Sequence, residues 1–169
     1  WQKLNGVWEP QTWQEYGALA KQIGLALKSS GMEKADKISI LSQCRMEWVA
    51  CDMGIIGMGG ITAPIYHSNT PEQVQYIVEH SEAKFIFLEN QEQLDKMLKI
   101  WNRLPNVKKI IVFDSYVPKD IPNVTTLNKF IQTGVDDDSF EEHIEESDPN
   151  DAISFIYTSG TTGNPKAGV

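Results

Sequence analysis

The chain has 169 residues, of which 41% are hydrophobic and 22% charged, a composition typical of a globular domain. No apolar stretch approaches the roughly 18 residues that a membrane-spanning helix needs. The net charge is −8, but eight acids lie within residues 136–148; removing them from the 23 acids leaves 15, equal to the 15 Lys and Arg. Because no basic stripe is present to meet phosphates, nucleic-acid binding is disfavoured.

The first helix is predicted after residue 12. Thr12 and Glu15 have the spacing of a capping box, and Gly31 would end the helix. The apolar stripe of this helix consists of Trp13, Tyr16, Ala20, Ile23 and Leu27. A largely apolar helix follows over residues 47–58.

Two more helices are predicted from their start signals. Thr70 and Gln73 form a second capping box, Pro71 occupies the first helical position, and the helix runs to about His80. Asn90 caps the next helix. One face of that helix carries Leu94, Met97, Leu98, Trp101 and Leu104.

Short strands are predicted between these helices, over residues 37–42, 61–66, 84–88 and 109–113. Strands separated by helices of about 10–15 residues imply a mainly parallel sheet. Apolar runs such as KFIFL at 84–88 imply strands that are buried on both faces. We therefore predict an α/β fold in which a mainly parallel sheet is covered by helices on both faces.

The pattern is looser beyond residue 115. Pro118 and Pro122 indicate a loop, and residues 127–133 a short helix. The acidic segment 136–150 is interpreted as a solvated linker with a short helical turn. A Ca²⁺ loop within it is disfavoured, because the alternation and the glycine of an EF-hand are absent. A last strand is predicted over residues 152–157.

The two cysteines and three histidines show no metal-site spacing. Cys44 and Cys51 are expected to be reduced thiols. His67, His80 and His143 are expected to be structural, with His80 at a helix end where a positive imidazole suits the helix dipole.

Residues 157–168 carry a dense set of anion-binding groups. Glycines let backbone N–H groups turn toward an anion, hydroxyls add rotatable donors, and a lysine adds a positive charge. An ordinary turn needs only one or two such residues. The spacing G-x-x-G-x-x-K is neither that of P-loop NTPases nor that of dinucleotide-binding loops. We predict a phosphate-binding loop formed by Thr158, Ser159, Gly160, Thr161, Thr162, Gly163 and Lys166.

This loop resembles the signature loop of the adenylate-forming (AMP-binding) enzymes, a superfamily of acyl-CoA synthetases, peptide-synthetase adenylation domains and luciferases. The match is nearly residue for residue at 158–163 and 165–166, whereas Ala167 stands where the family usually has Gly. The resemblance covers nearly the whole chain, in the same order and spacing. It is most similar to long-chain fatty-acid–CoA ligases at residues 45–48, 64–66 and 70–73.

The resemblance implies that residues 1–169 are a single incomplete domain, the N-terminal part of the large domain of an acyl-CoA synthetase. A chain that opens on Trp1 and ends inside a motif is expected to be an excised piece. The adenine, ribose and acyl pockets and the mobile C-terminal domain would lie later in such a protein. No catalytic residue and no metal ligand are therefore expected within these residues, and the piece alone is expected to be inactive.

The resemblance also implies a reaction. A fatty acid would be activated by ATP as acyl-AMP, with Mg²⁺ bridging phosphate oxygens, and then transferred to coenzyme A. The hydroxyls of the loop and the N–H groups at Gly160 and Gly163 would hold the β- and γ-phosphates, and Lys166 would add charge or order the loop. The protein is expected to be cytoplasmic, with association to a membrane surface left open.

Three alternatives remain at this stage. The chain could belong to an adenylation domain for an amino or aryl acid. It could be a non-catalytic nucleotide-binding or scaffolding module. A phosphotransferase is disfavoured, because the GK[ST] ending of a P-loop is absent.

Overall fold

A computed structural model describes residues 2–4, 6–115, 121–158 and 165–169 of the chain. Within them the strands are β1 (Gln2–Leu4), β2 (Val7–Glu9), β3 (Lys37–Leu41), β4 (Ile61–Ile65), β5 (Phe85–Leu88), β6 (Lys109–Val112), β7 (Val124–Thr126), β8 (Ile156–Thr158) and β9 (Lys166–Gly168). The α-helices are α1 (Trp13–Ser29), α2 (Met46–Gly57), α3 (Pro71–Ser81), α4 (Gln91–Leu98), α5 (Leu127–Ile131) and α6 (Ser139–Glu145), and a 3₁₀ helix covers Trp101–Arg103. None of the helices in this part of the chain is long and apolar enough to cross a bilayer.

Five strands form one parallel sheet in the order β4-β3-β5-β6-β7. Ile38 of β3 pairs with Thr62 on one side and with Phe85 on the other. Parallel neighbours need crossover connections, which α2, α3 and α4 supply from β3 as far as β6. The four strands predicted from apolar runs each lie within one residue of their observed bounds.

Side chains alternate between the two faces of the sheet. Ile38, Ile40, Phe85 and Phe87 point to the face covered by α1, α2, α5 and α6. Leu41, Ile86 and Leu88 point to the opposite face, covered by α3, α4 and Tyr157 of β8. Each buried Phe or Ile side chain contributes on the order of 2 kcal/mol relative to an exposed one. The predicted α/β fold with helices on both faces is confirmed.

The predicted helix starts are also confirmed. The Thr12 hydroxyl accepts from the Glu15 N–H at 3.1 Å, and the Glu15 carboxylate accepts from the Thr12 N–H at 2.8 Å. Thr70 and Gln73 repeat this arrangement at the start of α3. Each box satisfies N–H groups that the first turn of a helix leaves without partners.

Other predictions of local structure were wrong. Trp13 belongs to the predicted apolar stripe but is 87% exposed, because the buried part of α1 begins only at Ala20. The helix after Asn90 ends at Leu98, and its expected continuation is the separate 3₁₀ helix. The strand β7 and the antiparallel hairpin β1–β2 were not predicted. Pro118 lies outside the described residues.

The acidic segment contains the predicted short helical turn, which is α6, but this helix packs on the core. Phe140 of α6 is 8% exposed and enters the core between α1 and α2. Lys21 pairs with Glu141 at 2.8 Å, and Lys28 with Asp137 at 3.0 Å. Phe140 docks the acidic segment, because its ring fills the space between α1 and α2.

Candidate phosphate-binding site

The strands β8 and β9 pair as an antiparallel hairpin at the two ends of the predicted phosphate loop. Its register pairs Thr158 with Lys166 and Tyr157 with Ala167. Directly opposed residues of an antiparallel pair share a face, so Thr158 and Lys166 project from one side of the hairpin and Tyr157 and Ala167 from the other. Thr158 and Lys166 are exposed, whereas Tyr157 is buried. The remaining predicted loop residues, Ser159, Gly160, Thr161, Thr162 and Gly163, lie outside the described residues.

The segment before the hairpin extends the sheet. The Thr62 N–H donates to the Ile153 carbonyl at 3.0 Å, and the Phe155 N–H donates to the Thr62 carbonyl at 2.8 Å. Ser154 thus runs parallel to β4. The strand predicted over 152–157 is therefore divided into this bridge and β8. Since the segment runs parallel to β4, it delivers the hairpin toward the carboxyl edge of the sheet.

An open cleft of about 400 Å³ lies at this carboxyl edge. Its walls come from the segments that follow β3 and β4 and from β8, and they are mostly apolar. The lining residues are Ser42, Gln43, Cys44, Trp48, Pro64, Ile65, Tyr66, His67, Ile156 and Tyr157. A second cavity of about 250 Å³ shares Pro64, Tyr66 and Tyr157 with it and extends to Pro165. Ligands of open α/β sheets bind at the carboxyl ends of the strands, so this cleft is the best-placed ligand site near the hairpin.

The cleft residues were missed in the sequence. Ser42, Gln43, Cys44, Tyr66 and His67 directly follow β3 or β4, and that position was the available signal. Cys44 is exposed beside the cleft, whereas Cys51 is buried in the core, where burial raises the pKa of its thiol. A raised pKa keeps Cys51 protonated and unreactive.

Charged groups near the cleft are largely paired with one another. The Arg45 guanidinium donates to both carboxylate oxygens of Glu47 at 2.8 Å and to Asp114 at 3.2 Å. Burial is the largest single influence and would raise the pKa of Glu47, but the Arg45 hydrogen bonds, a backbone hydrogen bond and the charge of Arg45 together lower it. Lys166, by contrast, is exposed and makes no ion pair with the described residues. Its ammonium is therefore available to an external anion.

The donor set of the hairpin suits a phosphate better than a bare cation. A hydroxyl and an ammonium project together from Thr158 and Lys166, and both can donate hydrogen bonds. Within residues 2–4, 6–115, 121–158 and 165–169, no cluster of three His, Cys, Asp or Glu side chains could hold a metal ion. The arrangement is thus a hairpin at the carboxyl edge of an α/β sheet whose exposed donors are chemically suited to an anion.

Comparison with known proteins identifies the family. The family described as "AMP-binding enzyme" matches residues 3–169. The chain therefore belongs to the AMP-binding enzyme family, and the resemblance noted in the sequence is confirmed.

Two relatives are long-chain-fatty-acid–CoA ligases. ACSBG1 of Rattus norvegicus is 35% identical over 166 residues, which are 97% of this chain and 23% of the relative. ACSBG2 of Xenopus laevis is 34% identical over 166 residues, 97% of this chain and 22% of the relative. The chain thus spans about a quarter of the length of these relatives.

Solved structures agree with the family. The anthranilate CoA ligase AuaEII, in complex with anthranoyl-AMP, superposes with a TM-score of 0.81 at 26% identity over 94% of this chain and 29% of that one. The luciferase-like enzyme of Zophobas morio shares the fold, with a TM-score of 0.78 at 19% identity over 94% of this chain and 36% of that one.

Proposed function

We propose that this chain is the phosphate-binding part of an ATP-dependent ligase that activates a long-chain fatty acid and transfers it to coenzyme A. The pairing of the exposed residues Thr158 and Lys166, at the end of the hairpin that joins the predicted phosphate loop, carries the proposal. Membership of the AMP-binding family and the names of the relatives at 34–35% identity support it. The names of these relatives give a long-chain fatty acid as the acid that they activate.

The proposed reaction has two steps. The substrate carboxylate attacks the α-phosphorus of ATP, which forms acyl-AMP and releases pyrophosphate. The thiol of coenzyme A then attacks the acyl carbonyl, which forms the thioester and releases AMP. A carboxylate is a weak nucleophile approaching a polyanion, so the protein must chiefly position the reactants and neutralise charge.

The loop residues would perform the neutralising part of this task. Lys166 would place a positive charge against the β- and γ-phosphates as pyrophosphate leaves. The other proposed contacts are the hydroxyls of Thr158, Ser159, Thr161 and Thr162 and the N–H groups at Gly160 and Gly163. Mg²⁺ suits this proposal as a companion of the nucleotide, because it commonly binds substrate phosphates and keeps several waters. When bound, it would supply further neutralisation of the phosphate oxygens.

Replacement of Lys166 in the natural protein that contains this chain tests the role. We expect Lys166→Ala to slow ATP–pyrophosphate exchange roughly ten- to a hundred-fold, since a hydrogen bond to a charged group is lost. Lys166→Arg keeps the charge and should retain most of the rate. Lys129→Ala removes an exposed lysine of α5 and serves as the control. An unchanged rate for Lys166→Ala would remove Lys166 from the mechanism.

A second candidate is the activation of an aryl acid. It is favoured by the structural match to an anthranilate CoA ligase bound to anthranoyl-AMP. Exchange assays across fatty acids of different length, aryl acids and amino acids separate the candidates. Exchange with benzoate-like acids alone supports the second candidate, and nucleotide binding without any exchange supports a non-catalytic module.

A further inference from the structure

Helix α3 contacts β8 and the residue directly before β9. The Tyr76 hydroxyl donates to the Pro165 carbonyl at 3.0 Å, directly before β9. His80 Nδ1 lies 2.9 Å from the Tyr157 hydroxyl in β8. Because Tyr76 and His80 are four residues apart, they stand one turn apart on the same side of the helix. A single rigid element is therefore bonded to each arm of the hairpin.

The three rings also pack against one another. The Tyr76 and His80 centroids are 5.5 Å apart, and the His80 and Tyr157 rings meet edge to face at 5.6 Å and 84°. Tyr157 is 7% exposed, and burial raises the pKa of its phenol. The phenol is therefore neutral at pH 7 and keeps its hydrogen for bonding. We call Tyr76, His80 and Tyr157 the aromatic anchor.

The hairpin needs such support. Each of its strands has three residues, and a two-stranded hairpin is marginally stable by itself in water. The pair Thr158–Lys166 directly follows the pair Tyr157–Ala167. Movement of Tyr157 or of the Pro165 carbonyl would therefore be transmitted to the adjacent residues that face the phosphates.

We propose that Tyr76 and His80 are positioning residues, which hold Thr158 and Lys166 in the geometry that binds nucleotide phosphates. The inference rests on the proposed function, because it assigns the support of the same site. Tyr76 acts through the Pro165 carbonyl and His80 through Tyr157, so neither needs to contact the nucleotide itself. Loss of the aromatic anchor should therefore disturb ATP use and hairpin stability together.

Tyr76→Phe in the natural protein is the first test, since it removes the hydroxyl and keeps the ring. Without nucleotide, amide hydrogen exchange of a peptide spanning residues 156–168 should become roughly three- to ten-fold faster, the range expected for one lost hydrogen bond. The KM for ATP should rise by a similar factor while the KM for coenzyme A stays unchanged. Tyr16→Phe is the matched control, because the Tyr16 hydroxyl also donates to a backbone carbonyl, that of Val49 at 3.4 Å, on helices away from the hairpin.

The outcomes separate the two proposals. Normal hydrogen exchange and a normal KM for ATP in Tyr76→Phe would overturn the role of the aromatic anchor. If the unaltered protein shows no ATP–pyrophosphate exchange with any acid, the proposed function fails. The hydrogen-exchange result still decides whether Tyr76 holds the hairpin.

His80 has its own test. Asn can present a hydrogen-bonding group near the position of His Nδ1, whereas Leu cannot. We expect His80→Leu to raise the KM for ATP and His80→Asn to restore part of the loss. In a double-mutant cycle, His80→Leu and Tyr157→Phe should be non-additive, because both remove the same bond. Additive effects, or no rescue by Asn, would exclude His80 as a positioning residue.

Discussion

Gly24 and Gly57 create the space that one aromatic ring fills. A Cβ atom built on Gly57 would lie 2.5 Å from Cζ of Phe140, and one on Gly24 would lie 2.7 Å from Cε2 of the same ring. Real carbon atoms do not approach so closely, so either substitution must displace Phe140. In these two helices, the absence of a side chain is what permits α6 to dock.

The comparison of Gly24 with Gly17 gives a sharp prediction, since both lie in α1. Nothing lies within 4 Å of a Cβ built on Gly17, so Gly17→Ala should stabilise the protein by up to about 1 kcal/mol through helix propensity. Gly24→Ala should instead destabilise it by about 1–3 kcal/mol, because overpacking outweighs propensity. Urea denaturation measures the free energy of unfolding of both variants. Equal stabilisation by the two substitutions would show that Phe140 does not fill the space beside Gly24.

Asp137 predicts a dependence of stability on pH. Its pKa is lowered from 3.8 to about 2, first by the hydrogen bond from the Ser139 hydroxyl and then by that from Lys28. A lowered folded-state pKa means that the unfolded chain binds the proton more readily. The stabilisation is therefore complete above the unfolded value of 3.8 and is lost as the pH falls toward about 2.

Asp137→Asn should accordingly be less stable than the unaltered chain at pH 7, and the difference should shrink as the pH approaches 2. The measurement is the urea midpoint of both proteins across this range. Asp138→Asn is the control, since the Asp138 side chain makes no cap hydrogen bond at the neighbouring position. A difference between Asp137→Asn and the unaltered chain that does not vary with pH would contradict the assignment.

At the scale of elements, α6 is held more by its ring than by its charges. The pairs Lys21–Glu141 and Lys28–Asp137 lie at the surface, where such pairs contribute little. Phe140 buries a large apolar side chain against α1 and α2. We expect Phe140→Ala to cost about 2–4 kcal/mol of unfolding free energy, whereas Lys21→Met should cost much less. Adding 1 M salt should change the free energy of unfolding only slightly. A loss of stability in salt as large as that caused by Phe140→Ala would reverse this ranking.

The elements that could be predicted from the sequence have local causes. Thr12 with Glu15 and Thr70 with Gln73 satisfy their helix ends within four residues, so their patterns are visible in the sequence. The strand β7 has the sequence VTT, and it forms because β6 offers a free edge. Such a strand carries no apolar run of its own. The burial of Phe140 could not be predicted either, because its partners are glycines more than 80 residues away in the chain.

The candidate site shows the same difference between features with local causes and features that depend on distant residues. The phosphate loop could be proposed from the sequence because its donors are adjacent in the chain, and the structure places two of them, Thr158 and Lys166, opposite each other. The cleft required knowledge of which strand ends adjoin, and the aromatic anchor joins His80 to Tyr157 across a separation of 77 residues. No local pattern could have indicated that contact.

At the scale of the whole molecule, the sheet presents the hairpin at its carboxyl edge while α3 supports it from one face. β4 is covered by the bridge at Ser154, and β7 ends the other side of the sheet within the described residues. The buried faces of the sheet belong to two separate apolar clusters, and both are formed by the described residues. Folding of these residues and catalysis by the proposed enzyme are therefore separable questions.

Folding and catalysis can therefore be measured separately on the isolated chain. The chain corresponds to 23% of ACSBG1 and 29% of the AuaEII chain, and we expect the proposed enzyme to need residues outside this chain for its reaction. We expect the isolated 169 residues to give a cooperative unfolding transition and native-like protection of amides in β3, β5 and β6, yet to form no acyl-AMP from ATP and palmitate. The natural protein, assayed at equal concentration, is the positive control. Because positioning of the carboxylate supplies a large part of the rate in such reactions, we expect the hairpin and the residues around it not to reach even one turnover by themselves. A single turnover of acyl-AMP by the isolated chain would show that these residues already contain a complete adenylation site.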